Sequence, residues 1–305
     1  MEKKAYLQIS FAWVFAIIVG VFILFLAIFA VTKFTNQEQT ASDAQTGTEI
    51  GVLLNPLETG FETGKTSSFS LPAETRISNG CNNNGNFGRQ TIQLSQKSFN
   101  KWTETGIDVG FSNKYIFSDN TIEGKKFYVF SKPFDFPFKV SDLIYMTSSE
   151  KSYCFIDPPS RIEKEISNLN QNNLFLDECP GNSLKVCFDG GSDCDIEVDQ
   201  NQKFVEKRGG IMYFEDDALM YAAIFSEKDV YECQLNRLMQ RTEQLATIYD
   251  EKASLISTQG CGLEINLFAL RTAVDGFSSS SSLASIKEIA ENLDDKNNFG
   301  VCQLW

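Results

Sequence analysis

Residues 11–31, "FAWVFAIIVGVFILFLAIFAV", form an apolar run without a single charge, and about 20 such residues suffice to carry a helix across the hydrocarbon of a bilayer. This run constrains the chain more than any other feature, because the interior of a soluble domain rarely hides a helix that is apolar all round for that length. Lys3 and Lys4 precede it and Lys33 follows, after which Glu38, Asp43 and Glu49 appear. That bias favours a short cytoplasmic N-terminal tail and a long extracytoplasmic remainder. A cleaved secretory signal is the competing reading, but its apolar core is usually ~7–15 residues and ends in a small-x-small site. Neither condition is met. The expectation is a single-pass anchor in the cell membrane, with the lipid bilayer as its first partner.

Within the run, Ala12, Ala16 and Gly20 recur every fourth residue, and small residues at that spacing allow two helix backbones to approach closely in lipid. Spans are rich in Ala and Gly in any case, so the stripe has an ordinary explanation as well. As a packing face it predicts a helix from another membrane or surface protein, or from a second copy of this chain.

The eight cysteines, Cys81, Cys154, Cys179, Cys187, Cys194, Cys233, Cys261 and Cys302, all follow the apolar run. An even number beyond the anchor suits disulfides in an oxidising compartment, although buried thiols would also pack well. No C-x-x-C occurs, which argues against a thiol oxidoreductase and a zinc ribbon. The chain has no histidine and a net charge of −13. The first fact removes Ser-His-Asp and Cys-His nucleophile systems and His-ligated metals. The second makes nucleic acid an unsuitable partner, since such a surface repels phosphate backbones.

The short basic tail and Gln8-Ile9-Ser10-Phe11-Ala12, leading directly into the span, resemble the class III signal of archaeal type IV pilin-like proteins, Gln-x-Ser-x-Glu, which is processed just before the Gln. Gln8 and Ser10 match that motif; Ala12 stands at the family's glutamate, and Leu7 where a small residue is usual. The resemblance implies a processing site at Gln8 and assembly through the N-terminal helix. "NPLETGF", "KPFDFPFKV" and "YCFIDPP" are similar to segments of uncharacterised single-pass membrane proteins of small-genome archaea, a likeness that implies no activity.

Beyond the tail and span (1–34), residues 35–84 read as a juxtamembrane stalk and lead-in, the polar part being either a linker or a helix continuing out of the span. Residues 85–225 read as a β-rich extracytoplasmic domain and 226–305 as a helical portion packed on it. The fold class is therefore α+β: a transmembrane helix, a mostly antiparallel β-rich body, then C-terminal helices. The expected strands are "YIF" (115–117), "FYVF" (127–130), "LIYM" (143–146), "YCFI" (153–156), "LKVCF" (184–188), "CDIEV" (194–198), "IMYF" (211–214) and "LMYAAIF" (219–225). Aromatic and β-branched runs between Gly/Asn/Asp/Pro clusters carry that expectation. Ser160 and Glu163 form a capping-box pattern that starts a helix to about residue 169. A long helix to near residue 257 follows, capped by Ser226 or Asp229, with Tyr231, Leu235, Leu238, Thr242, Leu245, Tyr249 and Ile256 on one face. Helices over 263–274 and 283–293, a flexible five-serine connection or helix start (278–282) and a docked tail complete the chain.

Four constellations could carry chemistry. "DGGSDCDIEVD" brings Asp189, Asp193 and Asp195 together as a calcium candidate, but EF-hand spacing is absent and the acids alternate with apolar residues as on an ordinary half-buried strand. In the same stretch, if Phe188 pairs with Asp193 in a hairpin, Cys187 faces Cys194 and a bridge fits; if the apolar faces match instead, Cys187 points elsewhere. Cys261 with Cys302, both beside C-terminal helices, is a second disulfide candidate. Glu215, Asp216 and Asp217 could share acid and base roles, yet their place between two strand-like runs suits a hairpin turn, where acids are common. No cofactor motif is present. The functional expectation is a surface or envelope protein with a non-enzymatic binding or assembly role. Its alternatives are a pilin-like subunit and a membrane-tethered hydrolase that works without histidine, through carboxylates or a Ser/Lys pair.

Overall fold

The computed structural model describes residues 11–33, 66–98, 101–191, 193–258, 265–300 and 302–305, with the backbone alone for residues 98 and 104–108. Helix α1, Phe11–Lys33, is 23 residues long, and none of its apolar surface is buried against the rest of the chain. Its length and composition are those of a membrane span. Near its end Thr32 donates from Oγ1 to the carbonyls of Ile28 and Phe29, so the hydroxyl is satisfied without leaving the helix.

The body contains two six-stranded sheets. The first is built from β1 (Thr66–Asn82), β2 (Arg89–Ser98), β3 (Lys101–Phe111), β4 (Tyr115–Phe117), β5 (Thr121–Asp135) and β6 (Lys139–Ser148), in the order β3-β2-β1-β5-β6-β4. Its neighbours are antiparallel except β4 and β6, which run parallel. Alternation along β4, β5 and β6 sends Tyr115, Phe117, Phe130 and Tyr145 into the main core. Ile116, Val129, Ile144 and Met146, on the opposite face, join Ile77 and Ile92 in a second apolar cluster.

The second sheet has β7 (Tyr153–Ile156), β8 (Leu174–Leu176), β9 (Leu184–Phe188), β10 (Ile196–Asp199), β11 (Phe204–Lys207) and β12 (Gly210–Tyr213), in the order β12-β11-β10-β9-β7-β8. It is mixed: β8, β7, β9 and β10 are mutually parallel, whereas β11 runs antiparallel to both β10 and β12. Parallel neighbours need a crossover, and α2 (Ser160–Leu169) supplies the one between β7 and β8, burying Ile162, Ile166 and Leu169 at helical spacing.

Helix α3 (Asp217–Phe225) is buried on every side, from Ala218 to Phe225. It packs against β5 and β6 of one sheet and β11 and β12 of the other. Helix α4 (Lys228–Ser257) follows after two residues. Tyr231, Leu235, Leu238 and Thr242 are fully buried, and Leu245, Tyr249 and Ile256 pack against the core edge. Then come α5 (Phe268–Asp275), a 3-10 turn (Ser280–Ser282) and α6 (Leu283–Phe299). The tail docks: Leu304 is buried and the Trp305 ring meets Phe138 and Tyr249.

Several expectations are corrected. The α+β class stands, but the second sheet is mixed where a mostly antiparallel body was expected. "LMYAAIF" is helix α3, because a short run apolar at every position suits a fully buried helix as well as a strand, and Asp216 caps its start. Residues 215–217 therefore lead into a helix and are no hairpin turn. β1 lies inside the segment read as stalk and lead-in, and its pairing with β2 and β5 puts the start of the β-rich body at Thr66. Pro159, with no side-chain hydrogen bond, occupies the N-cap of α2, so the Ser160/Glu163 capping box does not form. Glu227 holds the corresponding place in α4, also without a side-chain cap, in place of Ser226 or Asp229. Helix α6 extends to Phe299. The helix expected from residue 263 is described only from Phe268, and residues 259–264 lie outside the described part.

Candidate functional site

Among the described residues the body has a cleft of about 930 Å³, within the size range of small-ligand sites. Four chain reversals meet there: Asp119 between β4 and β5, Lys151 between β6 and β7, Lys207-Arg208-Gly209 between β11 and β12, and the first residues of α4. Leu184, Ile196 and Ile224 supply apolar lining. Sheet topology accounts for the convergence, since the β11–β12 turn and the β4–β5 turn belong to different sheets and α4 starts between them.

Lys207 is the least ordinary group in this cleft. Its Nζ donates to the carbonyls of Ile224, at 3.1 Å, and Ser226. A cation at these last carbonyls satisfies the C-terminus of α3 and complements its dipole. Burial pushes the ammonium pKa down to about 8, Asp119 and Glu227 oppose that fall, and Lys151 adds to it.

Each acid of the cleft has a hydrogen-bond or ion-pair partner, Asp195 accepting from Lys185 N–H. Asp119 forms an ion pair with Lys151 at 2.5 Å. The Asn120 amide donates to Glu227 Oε2 at 2.7 Å and to Asp229 Oδ2 at 2.9 Å. Burial, with Asp119 and Asp229 close by, raises the Glu227 carboxyl above its ordinary value. Glu232 accepts from both the backbone N–H and the hydroxyl of Ser280. Gly210, at φ +109°, is in the left-handed region, and a Cβ there would lie 3.3 Å from Lys228 Nζ. A side chain at this turn would therefore be strained and crowded.

Of the residues singled out in the sequence, Asp195 lines this cleft; the others lie elsewhere or act structurally. Asp193 pairs with Lys185, whose backbone N–H donates to Asp195 Oδ2, and Asp189 accepts from Gln200 N–H. Among the described residues no group of three or more acid, cysteine or histidine ligands stands together as a metal site would. Asp216 Oδ1 accepts from Leu219 N–H at 2.7 Å and caps α3, Glu215 pairs with Lys203, and Asp217 pairs with Arg161. The three carboxylates thus hold separate partners and share no reacting point.

Cys187 and Cys194 are bridged, but by a route other than the expected hairpin. β9 and β10 run parallel, with Cys187 opposite Glu197, and the bridge closes the loop that leads from one strand to the next. Cys81–Cys233 and Cys154–Cys179 are two further bridges. Cys302 is disulfide-bonded, and Cys261 of the expected Cys261–Cys302 pair lies outside the described residues. Gln8 also lies outside them. Ala12, Ala16 and Gly20 fall on one side of α1, with nothing within 4 Å of a Cβ built on Gly20.

Sequence reasoning missed Lys207, Arg208 and Lys228. The one signal was "KRGG", a basic pair before two glycines in an acidic chain, which marks a turn and says nothing of what faces it. No protein-family model matches the chain, and no curated protein or solved structure shows significant similarity to it.

Proposed function

We propose that this chain is a membrane-anchored surface or envelope protein that works by binding rather than by catalysis, with its N-terminus cytoplasmic and its disulfide-stapled body outside. The observation that carries this reading is the exposure of α1: a 23-residue apolar helix with none of its surface buried against the body needs lipid or another helix to cover it. The cysteine usage adds to it, because bridges persist in oxidising compartments. Within the body, the charged cleft holds Lys207 on two backbone carbonyls, Asp119 on Lys151, and Glu227 and Asp229 on Asn120, an arrangement that recognises rather than reacts. Partners on this reading are the bilayer, other membrane or surface proteins, and small ligands of the cleft.

Alkaline carbonate extraction of native membranes tests the anchor: the chain stays in the pellet, and a variant lacking residues 11–31 moves to the supernatant. Orientation is read with a membrane-impermeant thiol reagent, which labels intact cells after reduction. Extraction of the unaltered chain by carbonate, or labelling only after lysis, overturns the reading.

A second reading, self-assembly through α1 in the manner of a pilin-like subunit, is favoured by the alignment of Ala12, Ala16 and Gly20 with open space beside Gly20. Intact-mass measurement decides the processing half of it. A mature chain starting at Gln8 supports the reading, and one starting at Met1 removes it. In-membrane cross-linking that is undiminished in Gly20→Ile removes the packing half.

A further inference from the structure

Two cations of the cleft, Arg208 and Lys228, are exposed, and among the described residues neither has a hydrogen bond or an ion pair. Asp119 of the same cleft is paired with Lys151, Glu227 and Asp229 accept from the Asn120 amide, Asp195 from Lys185 N–H and Glu232 from Ser280, so none of its carboxylates forms an ion pair with Arg208 or Lys228. Both line one cleft, and Lys228 lies against the turn that carries Arg208: its Cβ would lie 3.8 Å from a Cβ on Gly209, and its Nζ 3.3 Å from one on Gly210. Glycine at both positions leaves the backbone of that turn open to close approach. Lys207, on the same turn, adds a third positive charge behind them. Half-buried Leu184 lines the same space with apolar surface, above the buried Ile196 and Ile224.

We propose that this cleft binds a small organic anion, with a single carboxylate or phosphate group seated between Arg208 and Lys228 at the Gly209–Gly210 turn and an apolar body against Leu184. Arg and Lys together suit an oxyanion, the guanidinium through its fork and the ammonium as a point charge. Asp119, Asp195, Glu227, Asp229 and Glu232 line the same cleft and repel additional negative charge. They select a ligand with one anionic group over a polyanion. The cleft's volume of about 930 Å³ leaves room for the apolar part.

The inference rests on the body being a binding module, and its test is independent of the anchor, which carbonate extraction reads separately. The full chain in nanodiscs is titrated calorimetrically with hexanoate, hexyl phosphate, hexylamine and pyrophosphate, with empty nanodiscs subtracted. Saturable binding of hexanoate or hexyl phosphate is expected, and the stronger of the two identifies the headgroup. Pyrophosphate and hexylamine bind at least tenfold more weakly. The double variant Arg208→Ala/Lys228→Ala, both sites being exposed, loses at least tenfold in affinity while keeping its circular dichroism and its disulfides. Lys164→Ala, on the exposed side of α2, binds like the unaltered chain. Absence of saturable binding by either organic anion, equal binding of hexylamine, or undiminished binding by the double variant overturns the proposal.

Discussion

Cys81 of β1 is bonded to Cys233 in the second turn of α4, across 152 residues of sequence. The bridge fastens the longest helix of the body to a central strand of the first sheet. Cross-linking a long loop removes denatured-state entropy, although Cys154–Cys179 and Cys187–Cys194, nested inside it, shorten the effective loop. Replacing both Cys81 and Cys233 with serine should lower unfolding stability by about 3–5 kcal/mol, measured as a shift in the urea midpoint. A change near zero would mean that side-chain packing alone holds α4 in place.

Arg237 extends the same attachment without any carboxylate. It is fully buried, and its guanidinium donates to the carbonyls of Phe87, Lys114 and Ser112 and to Gln234 Oε1, with the Tyr115 ring 4.8 Å from its carbon. Gln234 donates in turn to Gln90, and Gln90 to Asn79. Arg237→Met leaves the buried Lys114 carbonyl and Gln234 Oε1, and the part-buried carbonyls of Phe87 and Ser112, without this donor and should cost roughly 3–5 kcal/mol. Arg237→Lys should recover little, since an ammonium cannot reproduce the planar fork. Hydrogen exchange over residues 83–88 and 111–116 should quicken in both variants; unchanged protection there would refute the role assigned to this side chain.

Asp216 combines a structural role with a pH signature. Burial pushes its pKa up to about 6, while the N–H of Leu219 partly offsets that rise. A carboxyl with a raised folded-state pKa binds more protons in the folded than in the unfolded chain, so its contribution falls as pH rises from about 4 to about 6. Asp216→Asn keeps a capping oxygen and removes the titration. At pH 7 the variant should match or exceed the unaltered chain, by at most ~3 kcal/mol, and the stability difference between the two should vanish toward pH 4. A difference independent of pH would count against this account.

Lys207 predicts the opposite slope at the alkaline end. Its folded-state pKa of about 8 lies below the ordinary lysine value, so between about pH 8 and pH 10 the unfolded chain binds more protons and this group's contribution rises with pH. Lys207→Met loses the hydrogen bonds to the α3 carbonyls and should be less stable throughout. Its deficit relative to the unaltered chain should widen by about 2 kcal/mol across that window. Paired denaturation curves at pH 8 and pH 10 read this directly, and parallel curves would exclude a buried, charge-disfavoured amine.

The strands "YCFI" and "LKVCF" were legible to the residue as β7 and β9, because aromatic and β-branched runs between turn residues state a local preference strongly. The face of α4 was legible for the same reason, and all seven of its named residues are buried or pack against the core. The long strands β1, β2 and β3 were not. "TSSFSLPAETRISNGCN" is polar enough to pass for a linker, and only its pairing with β2 on one side and β5 on the other makes it a sheet strand. "LMYAAIF" failed for another reason: with every position apolar, period 2 and period 3.6 cannot be told apart.

Local pattern therefore determined the apolar N-terminal helix, the suitability of the cysteines for bridging, the acidic surface and the α+β class, since each depends on residues near one another in sequence or on composition alone. Which strands run parallel, which cysteines meet and where a cleft opens are long-range questions. Cys81 found Cys233 because β1 and α4 pack together, and Arg208 and Lys228 line one cleft because the β11–β12 turn lies against the start of α4. Nothing within a few residues of either partner encodes the other; chain topology and burial of a shared core bring them together.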